Sequence, residues 1–452
     1  MSASVTVHSA HVVVPMTAPP ILDGAVAVRG DRILHVGERA WVVDQLAARG
    51  LPYTERRWRG ALLPGLVNAH SHLQYTGMAA VGAGRYRGFE DWAAAFTADY
   101  GGREHDWGAD AAEGAAQSIR AGVTSIADII TDLEAVSVLA DAGLGGIAYW
   151  EVMDWENAAW QERGRDQVLG ELEHIPEHPG AGLSPHAPYS LDVGPLLDLP
   201  DIVRQRGLRL HLHLGESAFE AERRALEPVP GLAGVVGLGR GADWHQANVP
   251  SFRALRALGF GASATTFVDR LGVLGPDCHI AHGVYMTAAD RALLRARGTA
   301  VALCPRSNAV IGLDPPPVAD YLREGSAIAV GTDSLSSSPS LDLMADVAAL
   351  HRIARNQGYG ARDLHERLLA AATLGGAHAM GLDVGPDRIG HLAVGARADL
   401  AVFDVDARTV ADALAELAED GAGRARATVI RGVVRAVDGT VLTATHVPER
   451  TP

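Results

Sequence analysis

The sequence predicts an α/β protein in which a (β/α)₈ TIM barrel is accompanied by a small β-sandwich domain formed by both chain ends. Three observations lead to this fold class. Apolar runs alternate with helical patterns through the middle of the 452 residues, both ends are rich in strand-like segments, and 48% of the chain is hydrophobic. We expect the sandwich domain to comprise residues 1–60 and 390–452, and the barrel domain to comprise residues 61–389.

The two chain ends consist of short strand-like segments separated by turns. Near the N-terminus these segments are residues 5–14, 24–29 and 32–36. The turn pair Gly30-Asp31 between the last two is typical of a hairpin. Near the C-terminus the segments are residues 399–404, 427–431, 433–437 and 440–443. The similarity of the two ends predicts that they assemble into one sheet domain.

The middle of the chain contains about eight apolar runs with helical patterns between most of them. The runs are residues 62–68, 123–128, 146–152, 182–185, 208–214, 278–281, 299–303 and 327–330. Helical patterns include residues 109–121, 341–354 and 361–372. Uninterrupted apolar strands indicate a parallel sheet buried on both faces, and eight such units favour a barrel. A doubly wound open sheet is the alternative, but no Gly-x-Gly-x-x-Gly follows the first strand. Between strands, residues 216–276 are expected to carry helices and an active-site loop.

Composition and charge exclude several classes of function. The chain has no lysine, so all 39 basic residues are arginine, which rules out Schiff-base, phosphate-loop and carboxylated-lysine chemistry. The net charge of −15 argues against binding to nucleic acid or to an anionic membrane. With two cysteines, no signal peptide and no apolar run of about 20 residues, we expect a cytoplasmic protein.

Histidine and aspartate residues occur where the predicted barrel strands end, which is where barrel enzymes place their active sites. His70 and His72 share one side of the first strand. His213, His282 and Asp333 lie at the ends of the fifth, sixth and eighth strands. Imidazoles with one carboxylate suit a divalent ion such as Zn²⁺ or Fe²⁺, which lowers the pKa of bound water. In isolation, Asp333 could equally be a helix N-cap.

Glu216 follows His213 by three residues, just past the strand, where a carboxyl group can face a substrate. It is therefore a candidate proton shuttle, and Asp333 can accept the proton of the attacking water. The neighbouring His211 is expected to be a packed residue of a lower layer, and His279 is expected to be structural.

Four motifs together resemble the amidohydrolase superfamily. They are the run from Pro64 to His72, the segment His213-Leu-Gly-Glu216, the segment Ala281-His282-Gly283, and the segment Gly331-Thr-Asp333-Ser. Residues 389–400 are similar to the return of that superfamily into its β-sandwich, so the resemblance covers nearly the whole chain.

Within the superfamily, the spacing of His213 and Glu216 resembles the cytosine, guanine and adenosine-type deaminases, which use one metal ion. The run from Ser184 to Tyr189 resembles the adenosine and S-adenosylhomocysteine branch of these deaminases. This resemblance implies that His70, His72, His213 and Asp333 bind one divalent ion, with Zn²⁺ as first choice and Fe²⁺ as second. It also implies catalytic roles for Glu216, His282 and Asp333. Binuclear members usually use a bridging carboxylated lysine, and the absence of lysine therefore favours a single ion.

The resemblance implies four substrate-binding residues. His186 lies in the run Ser-Pro-His-Ala-Pro-Tyr, Trp92 ends the run Gly-Phe-Glu-Asp-Trp, and Gln74 follows His72 by two residues. Asn308 belongs to a segment similar to the seventh-strand Pro-x-Ser-Asn of the superfamily. A packed aromatic is an equally good interpretation of Trp92, and a structural loop residue is an alternative for His186.

Residues 72–78 and 241–246 resemble the branch that converts 6-amino-6-deoxyfutalosine to futalosine and ammonia in menaquinone biosynthesis. Arg85, Arg87 and Arg306 are then candidates to hold the substrate carboxylate. The alternatives are an adenosine, S-adenosylhomocysteine, methylthioadenosine or guanine deaminase, or a chlorohydrolase or cyclic amidine hydrolase. A non-catalytic binding barrel is disfavoured because Glu216, His282 and Asp333 are all present. Homodimers are common among such barrels, but no residue in the sequence indicates one.

Overall fold

A computed structural model describes residues 4–221 and 263–442 of the chain. Residues 241–246 and most of the predicted loop region 216–276 lie outside the described residues. The part described consists of two sheets and the helices that surround them.

The described strands are, in chain order, β1 (Val5–Val13), β2 (Ile21–Arg29), β3 (Arg32–Glu38), β4 (Tyr53–Arg57), β5 (Ala61–Pro64), β6 (Leu66–Ser71), β7 (Val123–Ile130), β8 (Gly145–Val152), β9 (Ala181–Pro185), β10 (Arg209–Leu214), β11 (Cys278–His282), β12 (Ala300–Leu303), β13 (Ile328–Val330), β14 (Leu400–Phe403), β15 (Ala425–Ile430), β16 (Val433–Val437) and β17 (Thr440–Val441).

The described α-helices span Arg39–Ala48, Ala79–Gly82, Phe89–Gly102, Trp107–Arg120, Val138–Ala142, Asn157–Ala159, Arg165–Leu172, Val193–Arg206, Ala218–Ala221, Ala264–Arg270, Ala288–Arg297, Pro305–Ile311, Val318–Arg323, Leu343–Asn356, Leu364–Ala370, Gly376–Ala379 and Val410–Asp420. Short 3₁₀ segments (Leu73–Met78, Leu133–Ala135) and π-helical segments (Trp160–Gly164, Ala371–Gly375) complete the helical structure of the described residues.

The central element is a nearly closed parallel barrel in which β6 to β13 are neighbours in chain order. Every residue of β7 and β8 is buried, as expected for strands covered on both faces. The first and last strands meet just beyond β13, where the backbone nitrogen of Asp333 donates to the carbonyl of His70 at 3.0 Å. The predicted barrel is thus confirmed, and its carboxyl ends converge on one mouth.

The second sheet has nine strands and is built from both ends of the chain. Its order is β17-β16-β15-β14-β5-β1-β2-β3, and β4 also pairs with β1. The predicted sheet from both termini is therefore present. The domain limits at residues 60/61 and 389/390 stay a prediction.

The apolar run 62–68, predicted as one barrel strand, is in fact divided between the two sheets. β5 pairs with β1 and β14, whereas β6 begins the barrel, and Gly65 lies between them. A Cβ atom at Gly65 would lie 2.2 Å from Oγ1 of Thr124, so only glycine allows the chain to pass this close to β7. The prediction of a single strand was wrong because both halves of the run are equally apolar.

Buried polar contacts join the nine-stranded sheet to the barrel. The guanidinium of Arg397 donates to Oδ2 of Asp399 at 2.7 Å and to Oγ of Ser125 in β7 at 2.9 Å. Oγ1 of Thr428 in β15 donates to the carbonyl of Ile119 at 2.6 Å. The two sheets are therefore fixed to one another by directional hydrogen bonds as well as by apolar packing.

Cys278 and Cys304 are both buried and free. Across the described residues, we find no helix with the length and apolar character needed to cross a membrane.

Candidate active site

Four of the barrel strands bring titratable side chains to the same mouth. His70 lies near the end of β6, His213 near the end of β10, and His282 is the last residue of β11. His72 and Asp333 follow β6 and β13. The sequence-predicted residues therefore converge in space because parallel strands end on one side of the barrel.

Three histidines and one aspartate form a compact, buried cluster. Oδ1 of Asp333 lies 3.5 Å from Nε2 of His70 and 3.7 Å from Nε2 of His72. Nε2 of His213 lies 3.4 Å from Nε2 of His72, and ligand atoms of the three histidines all fall within 4.8 Å of one another. The spacing is that of donors around a single small ion.

Several ring nitrogens of this cluster lack hydrogen bonds, which bears on whether the cluster fits a metal ion. Within the described residues, neither ring nitrogen of His70 has a hydrogen-bond partner, and Nδ1 of His72 has none either. Buried polar atoms without partners are costly, and imidazole nitrogen with carboxylate oxygen is a donor set that suits zinc. Nδ1 of His213, by contrast, lies 3.1 Å from the carbonyl of His186, a contact that orients this ring. The residues fit a divalent ion.

Asp333 is held by contacts on both of its carboxylate oxygens. Oδ1 faces the histidines and accepts from the backbone nitrogen of Ser334 at 2.8 Å. Oδ2 accepts hydroxyl hydrogen bonds from Ser307 at 2.6 Å and Ser337 at 2.8 Å. Burial by itself would raise the pKa of Asp333, but its contact with His70 and the neighbouring imidazoles hold that pKa well below its usual range. Asp333 is therefore an ionised carboxylate at neutral pH.

Glu216 and His282 form a second pair beside the cluster. Oε1 of Glu216 lies 3.5 Å from Nε2 of His282, and Nδ1 of His282 lies 3.2 Å from Oδ1 of Asn308. Burial raises the pKa of Glu216 well above its usual value, and the charges of Asp333 and Glu220 raise it further. Glu216 is thus suited to hold a proton and to donate it.

The turn that presents Glu216 is organised by Glu220, a residue that was not predicted from the sequence. The carboxylate of Glu220 accepts backbone hydrogen bonds from Gly215 at 2.9 Å, Glu216 at 2.9 Å and Ser217 at 3.0 Å. Gly215 has a φ of 64°, which glycine adopts without strain. The signal that could have identified Glu220 is its position within a short helix directly after the strand-end motif.

Comparison with known proteins identifies the family. A sequence model described as the amidohydrolase family matches residues 61–435, which include every residue of the cluster. The chain belongs to the amidohydrolase family. As a member of this family the chain is a hydrolase, and its deaminase-named relatives are consistent with action on C–N bonds.

Individual relatives agree with the family. A 5-methylthioadenosine/S-adenosylhomocysteine deaminase from Nitratidesulfovibrio vulgaris is 28% identical over 437 residues, covering 93% of this chain and 88% of the relative. The structure of an adenosine deaminase from Xanthomonas campestris with bound zinc has a TM-score of 0.77 at 23% identity, covering 97% of this chain and 94% of that one. Helicobacter pylori aminofutalosine deaminase in complex with methylthio-coformycin has a TM-score of 0.78 at 18% identity, covering 95% and 99%. The two structures share the fold of this amidohydrolase.

Two of the predicted substrate-binding residues line the cavity above the cluster. His186 lines it, and its Nδ1 lies 2.7 Å from Oγ of Ser190. Trp92 lines it as well and donates from Nε1 to the carbonyl of Ser336 at 2.9 Å. Both side chains are therefore oriented by the surrounding loops of the amidohydrolase barrel.

The other two predicted substrate contacts, Gln74 and Asn308, are not among the described residues that line the cavity. Nε2 of Gln74 donates to Thr131 at 2.6 Å and to Asp132 at 2.9 Å, while its Oε1 accepts from the Thr131 nitrogen at 2.9 Å. The Gln74 amide thus joins two loops, and its role as a substrate contact stays a prediction. Asn308 contacts His282, and its Nδ2 is buried without a partner in the described part of the chain. The hydrogen-bond partner of Asn308 is thus His282, a candidate catalytic residue.

The three arginines considered for a substrate carboxylate differ in their surroundings. The guanidinium of Arg306 donates to Asp346 at 3.0 Å and to the Ser340 carbonyl at 2.6 Å, so its donors are engaged. Arg85 and Arg87 are exposed. Of the three candidates, the structure therefore excludes Arg306 as a free carboxylate partner.

Glu151 is a cavity residue that was not predicted from the sequence. It lies near the end of β8, and its Oε1 is 3.5 Å from Nδ1 of His213. Burial raises its pKa well above the usual value, and the charges of Asp333 and Asp154 add to the effect. Its position near the end of the third barrel strand is the sequence signal that could have identified it.

The space above the cluster is limited. Among the described residues it amounts to about 60 Å³, and its lining includes the aromatic residues Tyr75, Phe89, Trp92 and Phe96. Pockets that bury a drug-sized ligand measure about 300–1,000 Å³, so a ligand of that size requires lining side chains to move. A larger cavity of about 1160 Å³ opens at the amino ends of the strands, near Arg209 and Asp277, the end that barrel enzymes do not use for catalysis.

Proposed function

We propose that this amidohydrolase is a metal-dependent deaminase that hydrolyses the amino group of an aminopurine nucleoside. One observation carries the proposal. A buried carboxyl group with a raised pKa, Glu216, faces His282 beside a cluster of three histidines and Asp333. The replacement of a ring amino group by water requires a proton donor beside a set of metal ligands of this kind.

The residues that would hold the ion are His70, His72, His213 and Asp333. Bound there, a divalent ion such as Zn²⁺ or Fe²⁺ supplies a hydroxide nucleophile near neutral pH by lowering the pKa of water. A single ion is proposed because the chain has no lysine to form a carboxylated bridge between two.

Side chains of the protein then transfer the protons of the reaction. Glu216 donates its proton to the ring nitrogen next to the amino-bearing carbon, which makes that carbon more electrophilic. Asp333 accepts the proton of the attacking water, and His282, oriented by Asn308, holds the water-derived oxygen by a hydrogen bond. The amino group takes up the proton held by Asp333 and leaves as ammonia as the carbon–nitrogen bond breaks. The proton of the added oxygen returns to Glu216, and the purine carbon keeps the oxygen of water.

The specific substrate that we propose is 6-amino-6-deoxyfutalosine, converted to futalosine and ammonia in menaquinone biosynthesis. Residues 72–78 support this choice by their resemblance to that branch, and a structural neighbour is named aminofutalosine deaminase. Exposed Arg85 and Arg87 are candidates for the substrate carboxylate. The sequence relative named for 5-methylthioadenosine and S-adenosylhomocysteine supports the alternative that one of these nucleosides is the substrate.

A spectrophotometric panel distinguishes these possibilities. The purified, zinc-loaded enzyme is assayed with 6-amino-6-deoxyfutalosine, 5-methylthioadenosine, S-adenosylhomocysteine, adenosine, guanine and a chlorotriazine. We expect the highest kcat/KM for 6-amino-6-deoxyfutalosine. If that compound is inert while another purine compound reacts, the substrate is wrong and the deaminase class survives. If only the chlorotriazine reacts, the deaminase proposal itself is wrong.

A further inference from the structure

A second group of potential metal ligands lies outside the catalytic cavity, on three helices of the outer layer. His351 is on the helix Leu343–Asn356, His365 is on the helix Leu364–Ala370, and Glu419 is on the helix Val410–Asp420. None of the three lines the catalytic cavity. No step of the proposed reaction uses them.

The three side chains place their ligand atoms around a common point. Nε2 of His365 lies 2.8 Å from Oε1 of Glu419, and Nε2 of His351 lies 3.6 Å from the same oxygen. One ligand atom from each residue falls within 4.8 Å of the other two. Zinc bonds of about 2.0–2.1 Å in tetrahedral geometry separate neighbouring ligand atoms by about 3.3 Å, a value between the two observed distances.

His351 has a buried ring nitrogen that makes no hydrogen bond, which is a second observation in favour of a metal site. Its Nε2 atom is buried and has no hydrogen-bond partner among the described residues, because 3.6 Å to Glu419 is too long for a hydrogen bond. An unpaired buried nitrogen is costly. Its ring stacks against that of His365, with centroids 5.0 Å apart and an interplanar angle of 28°, so the two imidazoles run side by side toward one carboxylate.

We propose that His351, His365 and Glu419 bind a second divalent transition-metal ion of the zinc, nickel or copper type, separate from the catalytic ion. Imidazole nitrogen suits these metals, and one carboxylate offsets part of the positive charge. Three protein ligands leave at least one position for water. The ion would connect the helix Val410–Asp420, which follows β14 of the nine-stranded sheet, to two helices that surround the barrel. Because the unfolded chain lacks this arrangement, binding stabilises the folded protein.

The test uses the enzyme with its catalytic site already loaded with one equivalent of Zn²⁺. Further Zn²⁺ is added at micromolar concentration, bound metal is measured by equilibrium dialysis with elemental analysis, and Tm is recorded. We expect the wild type to take up one more equivalent and to show a higher Tm. The double variant His351→Ala/His365→Ala should take up no second equivalent and show no metal-dependent rise in Tm, while retaining wild-type turnover.

Two further variants distinguish loss of the zinc site from misfolding and from non-specific zinc binding. Glu419→Gln keeps the shape of the side chain, and the loss of one charged ligand should weaken the second zinc by about tenfold or more. His378→Ala is the matched control, because His378 pairs with a single carboxylate, Asp383, at 3.0 Å, and it should keep the second equivalent. The proposal is overturned if the wild type binds no second equivalent, or if the double variant and Glu419→Gln bind it as tightly as the wild type.

Discussion

His282 and Asp333 adopt backbone conformations that are rare for residues with a side chain. Their φ angles are 73° and 59°, in the left-handed region. Such conformations cost of the order of 1–3 kcal/mol and persist where the surroundings fix them. For Asp333 the fixing contacts are its backbone hydrogen bond to His70 and the two serine hydroxyls on Oδ2. The strain serves to turn both side chains into the barrel mouth.

The role of Glu216 leads to the first prediction. Replacing it by glutamine keeps the shape of the side chain but removes the proton that it donates. We expect Glu216→Gln to fold and to keep its zinc content while kcat falls by about 10²–10⁴-fold, the usual contribution of general acid–base catalysis. Steady-state kinetics and metal analysis of the same sample provide the measurement.

A matched control for this variant is Glu134→Gln, at an exposed carboxylate outside the cavity. It should behave as the wild type. Near-normal turnover of Glu216→Gln would show that its carboxyl group does not transfer the proton.

At the scale of single residues, the sequence allows prediction of site residues whose side-chain direction follows from their position relative to a strand end. His70, His72, His213, His282, Asp333 and Glu216 were all predicted in this way, and the structure brings them together. Gln74 shows the limit, since proximity to His72 in sequence does not determine where a side chain finds its hydrogen bonds. The contact between Glu151 and His213 could not be predicted without the pairing of the strands.

Among the elements, β7 supports the active-site loop through one buried carboxyl group. Oδ1 of Asp128 accepts from the backbone nitrogen of Leu73 at 2.9 Å, directly after His72. Burial raises the pKa of Asp128 from 3.8 to about 8. Between these two values the folded protein keeps a proton that the unfolded chain has lost, so stability falls as pH rises through this window.

This linkage leads to the second prediction. Asp128→Asn replaces the neutral acid by an uncharged group that can still accept from Leu73. We therefore expect the fall in Tm between pH 5 and pH 8 to be smaller in the variant than in the wild type. Differential scanning calorimetry across this range measures it, with the exposed Asp141→Asn as control. Parallel curves for Asp128→Asn and the wild type would contradict the raised pKa.

At the same scale, the order and type of the barrel elements could be predicted because apolar runs and helical patterns alternate over the whole middle of the chain. The division of residues 62–68 at Gly65 could not, because hydrophobicity alone does not indicate which sheet a strand joins. Only the close approach of Gly65 to Thr124 explains the break.

For the whole molecule, a buried ion pair lies at the joint between the nine-stranded sheet and the barrel. Arg397 and Asp399 are 5% and 3% exposed, and Arg397 also reaches Ser125 of the barrel. Removing one member of a buried pair leaves the other charge without compensation, which costs about 3–5 kcal/mol.

The third prediction follows from this joint. Arg397→Ala should lower the free energy of unfolding by about 3–5 kcal/mol. The control Arg408→Ala, at an exposed arginine, should change it by about 0.5 kcal/mol or less. Denaturant titration of both variants gives the comparison. Equal effects of the two substitutions would mean that the buried pair does not stabilise the fold.

The central claim is that this molecule replaces a purine amino group by oxygen from water, with its histidine and aspartate cluster holding the metal that the reaction needs. The most direct measurement is mass spectrometry of the product formed in ¹⁸O-labelled water, with ammonia measured in parallel, before and after the metal is removed by a chelator. We predict one ¹⁸O atom on the purine ring and one ammonia for each product, loss of both on chelation, and recovery when Zn²⁺ is restored. A chelated enzyme that turns over as fast as the zinc-loaded enzyme, or a product without ¹⁸O on the ring, would contradict the claim.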